Sequence, residues 1–202
     1  ITVIPCGFDP SICSATDKQE RTDVSILCVS RLVSYKNINL LIEAVSTISP
    51  NIPTLKCKII GTGPERANLE KLAAEMGISD NIEFCGFVKN HAEVIRKIKS
   101  ARVLCLPSSV EGFGISLLEA MACGTPYVCS DIPALRETSM NGKGGLFFRR
   151  GDKNDLAEKL TSLLSDNQLH ETFSKAGPEA AKGRDWPTIS TRTEEFYNKI
   201  IS

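Results

Sequence analysis

Histidine is scarce in this 202-residue sequence: there are two, His91 and His170, and each stands alone. The eight cysteines contain no C-x-x-C pair. Without paired Cys or His spacings, a zinc site or a disulfide scaffold is disfavoured. Cys28, Cys57, Cys105 and Cys129 instead lie within Val/Ile/Leu-rich runs. A thiol there serves as a small buried hydrophobe and is expected to stay reduced, as in a cytoplasmic protein. Net charge is also missing. Lys+Arg and Asp+Glu each total 24, so the formal sum is zero. That balance argues against broad electrostatic binding of nucleic acid or of an anionic membrane. No apolar run is long enough to span a bilayer, and the first residues show no basic segment followed by an apolar core. Neither a membrane span nor a signal peptide is therefore expected. No internal repeat, low-complexity segment or linker interrupts the chain. Its length suits one large domain or two small ones.

What is present is a rhythm of short apolar run, turn and helical pattern. VSILCVS (24–30) is continuously apolar, as a strand buried on both faces would be. Ile38, Leu41, Ile42, Val45 and Ile48 then recur as one face of a helix. LKCKII (55–60), NIEFCGF (81–87), VLCLP (103–107), YVCSD (127–131) and a weaker GLFF (145–148) read as further strands. Helices are expected over 65–76, ended by Gly77, over 92–100 and over 115–123. This alternation predicts right-handed βαβ crossovers, hence an α/β, Rossmann-like, doubly wound parallel sheet with helices on both faces. After Gly151 the pattern turns helical, with one stripe through Leu156, Leu160, Leu163 and Leu164. A second stripe runs through Ile189, Thr193, Phe196, Tyr197, Ile200 and Ile201. It packs on this sheet or awaits a partner beyond the domain. The start, ITVIPCGFDP, reads as an apolar strand and a turn, followed by a polar stretch over 14–23.

Ligands of such sheets sit outside the carboxyl ends of the strands, so the loops there carry the chemistry. After the first strand, SRLVSYKN places Arg31 and Lys36 on a short loop, a pair suited to a diphosphate unless both are solvated surface charges. After the second comes GTGPER. A dinucleotide fingerprint would need a third glycine where Arg66 stands and free amides where Pro64 stands, so NAD is disfavoured. Gly61 and Gly63 let backbone approach a ligand or make a tight turn. After the fourth strand, Glu111 abuts Gly112-Phe113-Gly114, which opens the helix beginning at Ile115. Backbone amides at such a start form an anion site. Glu111 then suits hydroxyls of a sugar beside the phosphate, and Glu119 the vicinal diol of a ribose. The competing readings are a glycosidase carboxylate pair and, for Glu119, a charge favoured by the helix dipole. In SDIPALRE, Asp131 is expected to cap the next turn, the alternative being that it helps shape the pocket.

The ordered series VIPCGFD, SRLVSYK, IIGTGPER, FCGFV, EGFG with Glu111 and Glu119 eight apart, GTPYVCSDIPALRE, GLFF and GD, ending in the segment from Trp186 to Tyr197, resembles the C-terminal donor-binding domain of GT-B glycosyltransferases of family 4. The likeness covers nearly the whole chain. It implies one nucleotide-sugar-binding domain over 1–202, the N-terminal, acceptor-binding domain being absent. The implied reaction moves a hexose of mannose, glucose or galactose type from a UDP- or GDP-sugar to an acceptor hydroxyl with retention. The alternatives are a sugar-nucleotide epimerase, an inverting transferase or a non-catalytic sugar-nucleotide module. The resemblance makes Arg31, Lys36 and Glu111 catalytic. It assigns donor binding to Gly61, Gly63, Phe87, Val88, Gly112, Phe113, Gly114, Ile115 and Glu119. No tight metal or other cofactor is implied, in keeping with the lack of a D-x-D motif. The implied partners are the donor and a glycan or lipid-linked acceptor held by the missing domain, with a place for the full-length enzyme at the cytoplasmic membrane surface left open. Ser30, Cys6 and Pro133-Ala134 depart from residues frequent in the family.

Overall fold

The computed structural model describes residues 2–11 and 24–201. The polar stretch over 14–23 lies outside them. Six strands form one parallel sheet: β1 (Ile26–Val29), β2 (Cys57–Ile60), β3 (Ile82–Gly86), β4 (Val103–Leu106), β5 (Tyr127–Ser130) and β6 (Gly145–Phe148), in the spatial order β3-β2-β1-β4-β5-β6. The chain winds outward from β1 to one edge, returns, and adds β4 to the free side of β1. The expected doubly wound sheet is thus present, and its order reverses between β1 and β4.

The residues alternate between two cores as strand geometry requires. Ile26, Cys28, Cys57, Ile59, Val103, Cys105 and Val128 face one layer. Leu27, Ile60, Leu104, Leu106, Tyr127 and Cys129 face the other. Helices α1 (Ile38–Ile48), α2 (Arg66–Glu75) and α6 (Lys153–Ser165) cover the first face. Helices α3 (His91–Ser100), α4 (Ile115–Cys123), α5 (Pro133–Thr138) and α7 (Asn167–Ala181) contribute to the second. The four strand cysteines are buried and free, as the sequence suggested.

Helix ends follow local chemistry. Asp152 accepts from the amides of Asn154 and Asp155, both at 3.0 Å, and so starts α6. Gly77, at φ 69°, terminates α2 as anticipated. Asp131 does not cap α5. Its two carboxylate oxygens are taken by the Arg136 guanidinium, and the helix instead begins with Pro133 behind the extended Ile132.

The opening segment also differs from expectation. Residues 2–7 join no strand; Phe8 alone makes an isolated bridge to Asp185, with Phe8 N donating to Arg184 O at 3.0 Å and Trp186 N to Phe8 O at 3.0 Å. The last helix, α8 (Trp186–Ile201), buries Ile189 only. Tyr197, Ile200 and Ile201 are exposed, so the end of its apolar stripe does not pack on this sheet.

Candidate functional site

The strand order reverses between β1 and β4, and ligands of such sheets bind in the crevice outside the carboxyl ends of the strands at that point. Hydrogen bonds to backbone carbonyls hold the loops after β1 and β4. After β1 the chain makes a 3-10 turn, Ser34–Lys36, closed by Asn37 in the left-handed conformation. Asn37 then donates from Nδ2 to Pro107 O at 3.2 Å. Ser109, in the loop after β4, donates to Tyr35 O from its amide at 2.8 Å and from Oγ at 3.1 Å. The turn bearing the cations is therefore tied to the loop bearing Glu111.

Lys36 and Glu111 meet directly. Lys36 Nζ lies 2.6 Å from Glu111 Oε1, with the side chains 11% and 9% exposed. Ser108 Oγ donates to the same oxygen at 2.8 Å. Arg31 joins through Tyr35: its Nη2 donates to the phenolic oxygen, and the guanidinium carbon lies 5.9 Å from the ring centroid. Lys36 Nζ is 5.6 Å from the same centroid. Both cations thus lie over the ring of one exposed tyrosine, which keeps them together on this loop. The sequence reading missed Tyr35 and Ser108; an aromatic residue just before Lys36 was the available signal.

The loops after β1 and β2 press against each other. A Cβ on Gly61 would lie 1.9 Å from Ser30 O, and one on Gly63 would lie 2.1 Å from Leu32 O. Leu32 N donates to Thr62 O at 2.9 Å, and Glu65 N to Leu32 O at 3.1 Å. Both glycines are required by this backbone contact, which seats the segment leading to Arg31 and Lys36. Phe87, after β3, is 71% exposed, whereas Val88 is partly buried against the second core.

Helix α4 begins behind Gly114 at φ 87°, a position where a Cβ would strike Leu135 Cδ2 at 2.6 Å. No side chain caps this helix start. Gly112 faces open space, Ile115 is exposed, and Phe113 packs on the second core while its carbonyl accepts from Thr138 Oγ1. The helix therefore presents backbone donors and an open glycine at the mouth of the crevice, a geometry suited to an anion.

Glu119 is buried in the same helix and stands apart from the Lys36–Glu111 pair. Its Oε1 is 2.8 Å from Nε2 of His91, the first residue of α3. Burial pushes the Glu119 carboxyl above its ordinary value, and the neighbouring His91 opposes that rise. His91 is thus not the isolated histidine that its sequence spacing suggested. The other histidine, His170, bonds Arg102 O through Nε2 at 2.9 Å. Among the described residues, no group of three or more His, Cys, Asp or Glu is arranged to hold a metal ion, and no helix is long and apolar enough to cross a membrane.

Residues 15–180 match the family model described as glycosyl transferases group 1. The chain belongs to that family. Among relatives of this glycosyl transferase chain, the phosphatidyl-myo-inositol mannosyltransferase of Mycobacterium leprae is 32% identical over 169 residues, spanning 83% of this chain and 44% of that protein. The D-inositol 3-phosphate glycosyltransferase of Corynebacterium urealyticum is 31% identical over 179 residues, spanning 85% and 42%. The sucrose-phosphate synthase from Thermosynechococcus elongatus superposes with a TM-score of 0.86 at 27% identity, over 99% of this chain and 52% of that one. The pneumococcal O-GlcNAc transferase GtfA, solved with UDP and GlcNAc, gives 0.80 at 25% identity, over 98% and 38%. These neighbours are GT-B glycosyltransferases. The group 1 chain spans about half the length of the curated relatives it matches.

Proposed function

We propose that this chain is the donor-binding domain of a retaining glycosyltransferase that moves a hexose from a UDP- or GDP-sugar to a hydroxyl of a glycan or lipid-linked acceptor. An N-terminal domain would hold that acceptor. One observation carries the reading: Lys36, Arg31 and Glu111 converge at the β1–β4 reversal beside the uncapped start of α4. Cations and helix amides facing one crevice suit a diphosphate. As the bond from the sugar to the diphosphate breaks, negative charge grows on the leaving nucleotide. Lys36 and Arg31, already oriented by Glu111 and Tyr35, stabilise that charge without reorganisation.

In this reading the backbone of Gly112, Phe113, Gly114 and Ile115 receives phosphate and sugar. Glu111 accepts from donor-sugar hydroxyls and Glu119 from the ribose. Phe87 and Val88 pack against the base, which lies beside the loop of Gly61 and Gly63. Retention of configuration and the absence of a tight metal rest on the likeness to family 4. The chain by itself binds nucleoside diphosphate weakly and transfers little or no sugar.

Calorimetry with UDP, GDP and ADP, and with the matching nucleosides, tests this. Heat with at least one diphosphate is expected, and Lys36→Ala should weaken the diphosphate more than its nucleoside. A folded sample that binds none of the three would overturn the proposal. With the complete protein, an inverted product would favour an inverting transferase, an epimerised sugar nucleotide an epimerase, and binding without turnover a non-catalytic module.

A further inference from the structure

Glu119 is 6% exposed in a helix whose neighbouring positions, Leu117, Leu118, Ala120 and Met121, are all fully buried and apolar. A carboxylate there loses water, and loss of water favours its neutral, protonated form. A protonated carboxyl has one oxygen carrying a hydrogen and accepts poorly from a pair of hydroxyls. Something must keep Glu119 ionised if it is to grip a diol. The group in place is His91, with Nε2 2.8 Å from Oε1.

His91 is held for this contact. It opens α3, whose start is fixed by Asn90 Oδ1 accepting from Ala92 N at 3.0 Å. Helix α3 follows directly on the segment of Phe87 and Val88 and packs against α4. The other elements packed on α4 are α5, α7, β4 and β5. Among the charges there, Arg136 pairs with Asp131, Lys175 with Glu171, Glu179 with Lys182 and Lys97 with Glu93, while Arg96, Lys99 and Glu137 are not among the groups acting on the Glu119 carboxyl. The thiols of Cys105 and Cys129 and the phenol of Tyr127 are all pushed far up by burial and stay neutral. Among the described residues, His91 is the side chain whose polar atom meets the Glu119 carboxyl and opposes its rise.

We infer that His91 is a positioning residue. It donates to Oε1, offsets part of the cost of holding Glu119 ionised in its buried position, and leaves Oε2 to accept from a ribose hydroxyl of the nucleotide. This rests on the donor-binding reading above. A neutral imidazole with hydrogen on Nε2 and an imidazolium both donate there.

The test compares the wild type with His91→Ala and His91→Gln. Carbon-13 NMR of the side-chain carboxyl, without nucleotide, follows the Glu119 titration. Calorimetry measures UDP, GDP and ADP across the acid side of neutrality, with inorganic pyrophosphate as the control that has no ribose. In His91→Ala, Glu119 should titrate at higher pH. Nucleotide affinity at mildly acidic pH should fall about ten-fold, the scale of one lost hydrogen bond to a charged group, while pyrophosphate affinity stays within two-fold. The acid limb of nucleotide binding should move toward neutrality. His91→Gln, which still offers an N–H, should recover most of the loss. Identical Glu119 titration in His91→Ala, or equal losses for pyrophosphate and nucleotide, would overturn the positioning role while leaving the donor reading intact. A wild type that binds no nucleoside diphosphate would overturn both.

Discussion

The Lys36–Glu111 pair makes a quantitative prediction about the price of pre-arranging a charged crevice. At 2.6 Å, with an effective dielectric of about 20, the direct attraction is on the order of 6 kcal/mol. Withdrawing both ions from water offsets much of that, so the pair as a whole adds little to stability. Removing one member is another matter, because the survivor stays desolvated without its partner. Lys36→Met leaves Glu111 with Ser108 Oγ alone and should cost about 3 kcal/mol. For a chain of this size that lowers Tm by about 6–12 °C. Glu111→Gln should cost less, about 2 kcal/mol, because Lys36 keeps the Tyr35 ring face and a slightly more exposed position. In the double variant neither charge remains, so the two costs should not add; a coupling of about 2 kcal/mol is expected. Urea unfolding of the four proteins at neutral pH, followed by circular dichroism, measures this cycle. Single costs below about 0.5 kcal/mol, or costs that simply sum, would refute the argument that these two charges depend on each other.

Other outcomes follow from the same geometry. Gly61→Ala and Gly63→Ala drive a Cβ into backbone oxygens at 1.9 and 2.1 Å, so each should cost about 4 kcal/mol or yield insoluble chain. Gly112→Ala, facing open space, should change stability by less than about 0.5 kcal/mol while weakening UDP or GDP binding; thermal unfolding and calorimetry check the contrast. Glu119→Gln should alter the pH dependence of stability. Burial raises the Glu119 carboxyl above its ordinary 4.5, so the folded chain holds that proton more tightly than the unfolded one. Its stabilising contribution is complete below that ordinary value and is lost as pH rises through the raised one. The always-neutral Gln lacks this decline, and melting curves across that window should show the variant gaining on the wild type toward neutral pH. Finally, burial pushes the Cys28 thiol up to about 12 and holds Cys57, Cys105 and Cys129 high as well. Mass spectrometry should find all four unmodified by alkylating reagent until the chain unfolds; labelling of any one in the native state would contradict the packing.

The sheet was legible because most of its strands are short Val/Ile/Leu/Cys-rich runs bounded by turn residues; the central β4 and β5 are buried throughout, and such a strand has little alternative composition, whereas Lys58 in β2 and Glu83 in the edge strand β3 interrupt the pattern. Helix α4 was legible for a related reason: its apolar positions and flanking glycines leave no other reading. The region after Gly151 reads as helical, but no apolar stripe marked α7 within it. Helix α7 contains Gly177 and Pro178, which argue against a helix locally. The glycine is used instead for close approach to α4, where a Cβ would meet Met121 O at 2.9 Å. Tertiary packing overrode local preference. Asp131 failed as a cap because Arg136, one helical turn later, offers a stronger partner than backbone amides. The convergence of Lys36 with Glu111 followed from the rule that ligands gather at strand carboxyl ends, but their direct contact did not. Glu119 with His91 could not be read at all, since their meeting depends on how α3 leans on α4.

The reversal between β1 and β4 also sets a timetable for biosynthesis. β1, β2 and β3 leave the ribosome in sequence and pair on one side only, while the flank of β1 that accepts β4 stays bare. At usual translation speeds the wait from Lys36 to Glu111 lasts on the order of ten seconds. During that interval the lysine turn has no acid to meet, and an unpaired strand edge is open to mispairing. Fast closure of β4 onto β1, or a chaperone covering that edge, would shorten the exposure.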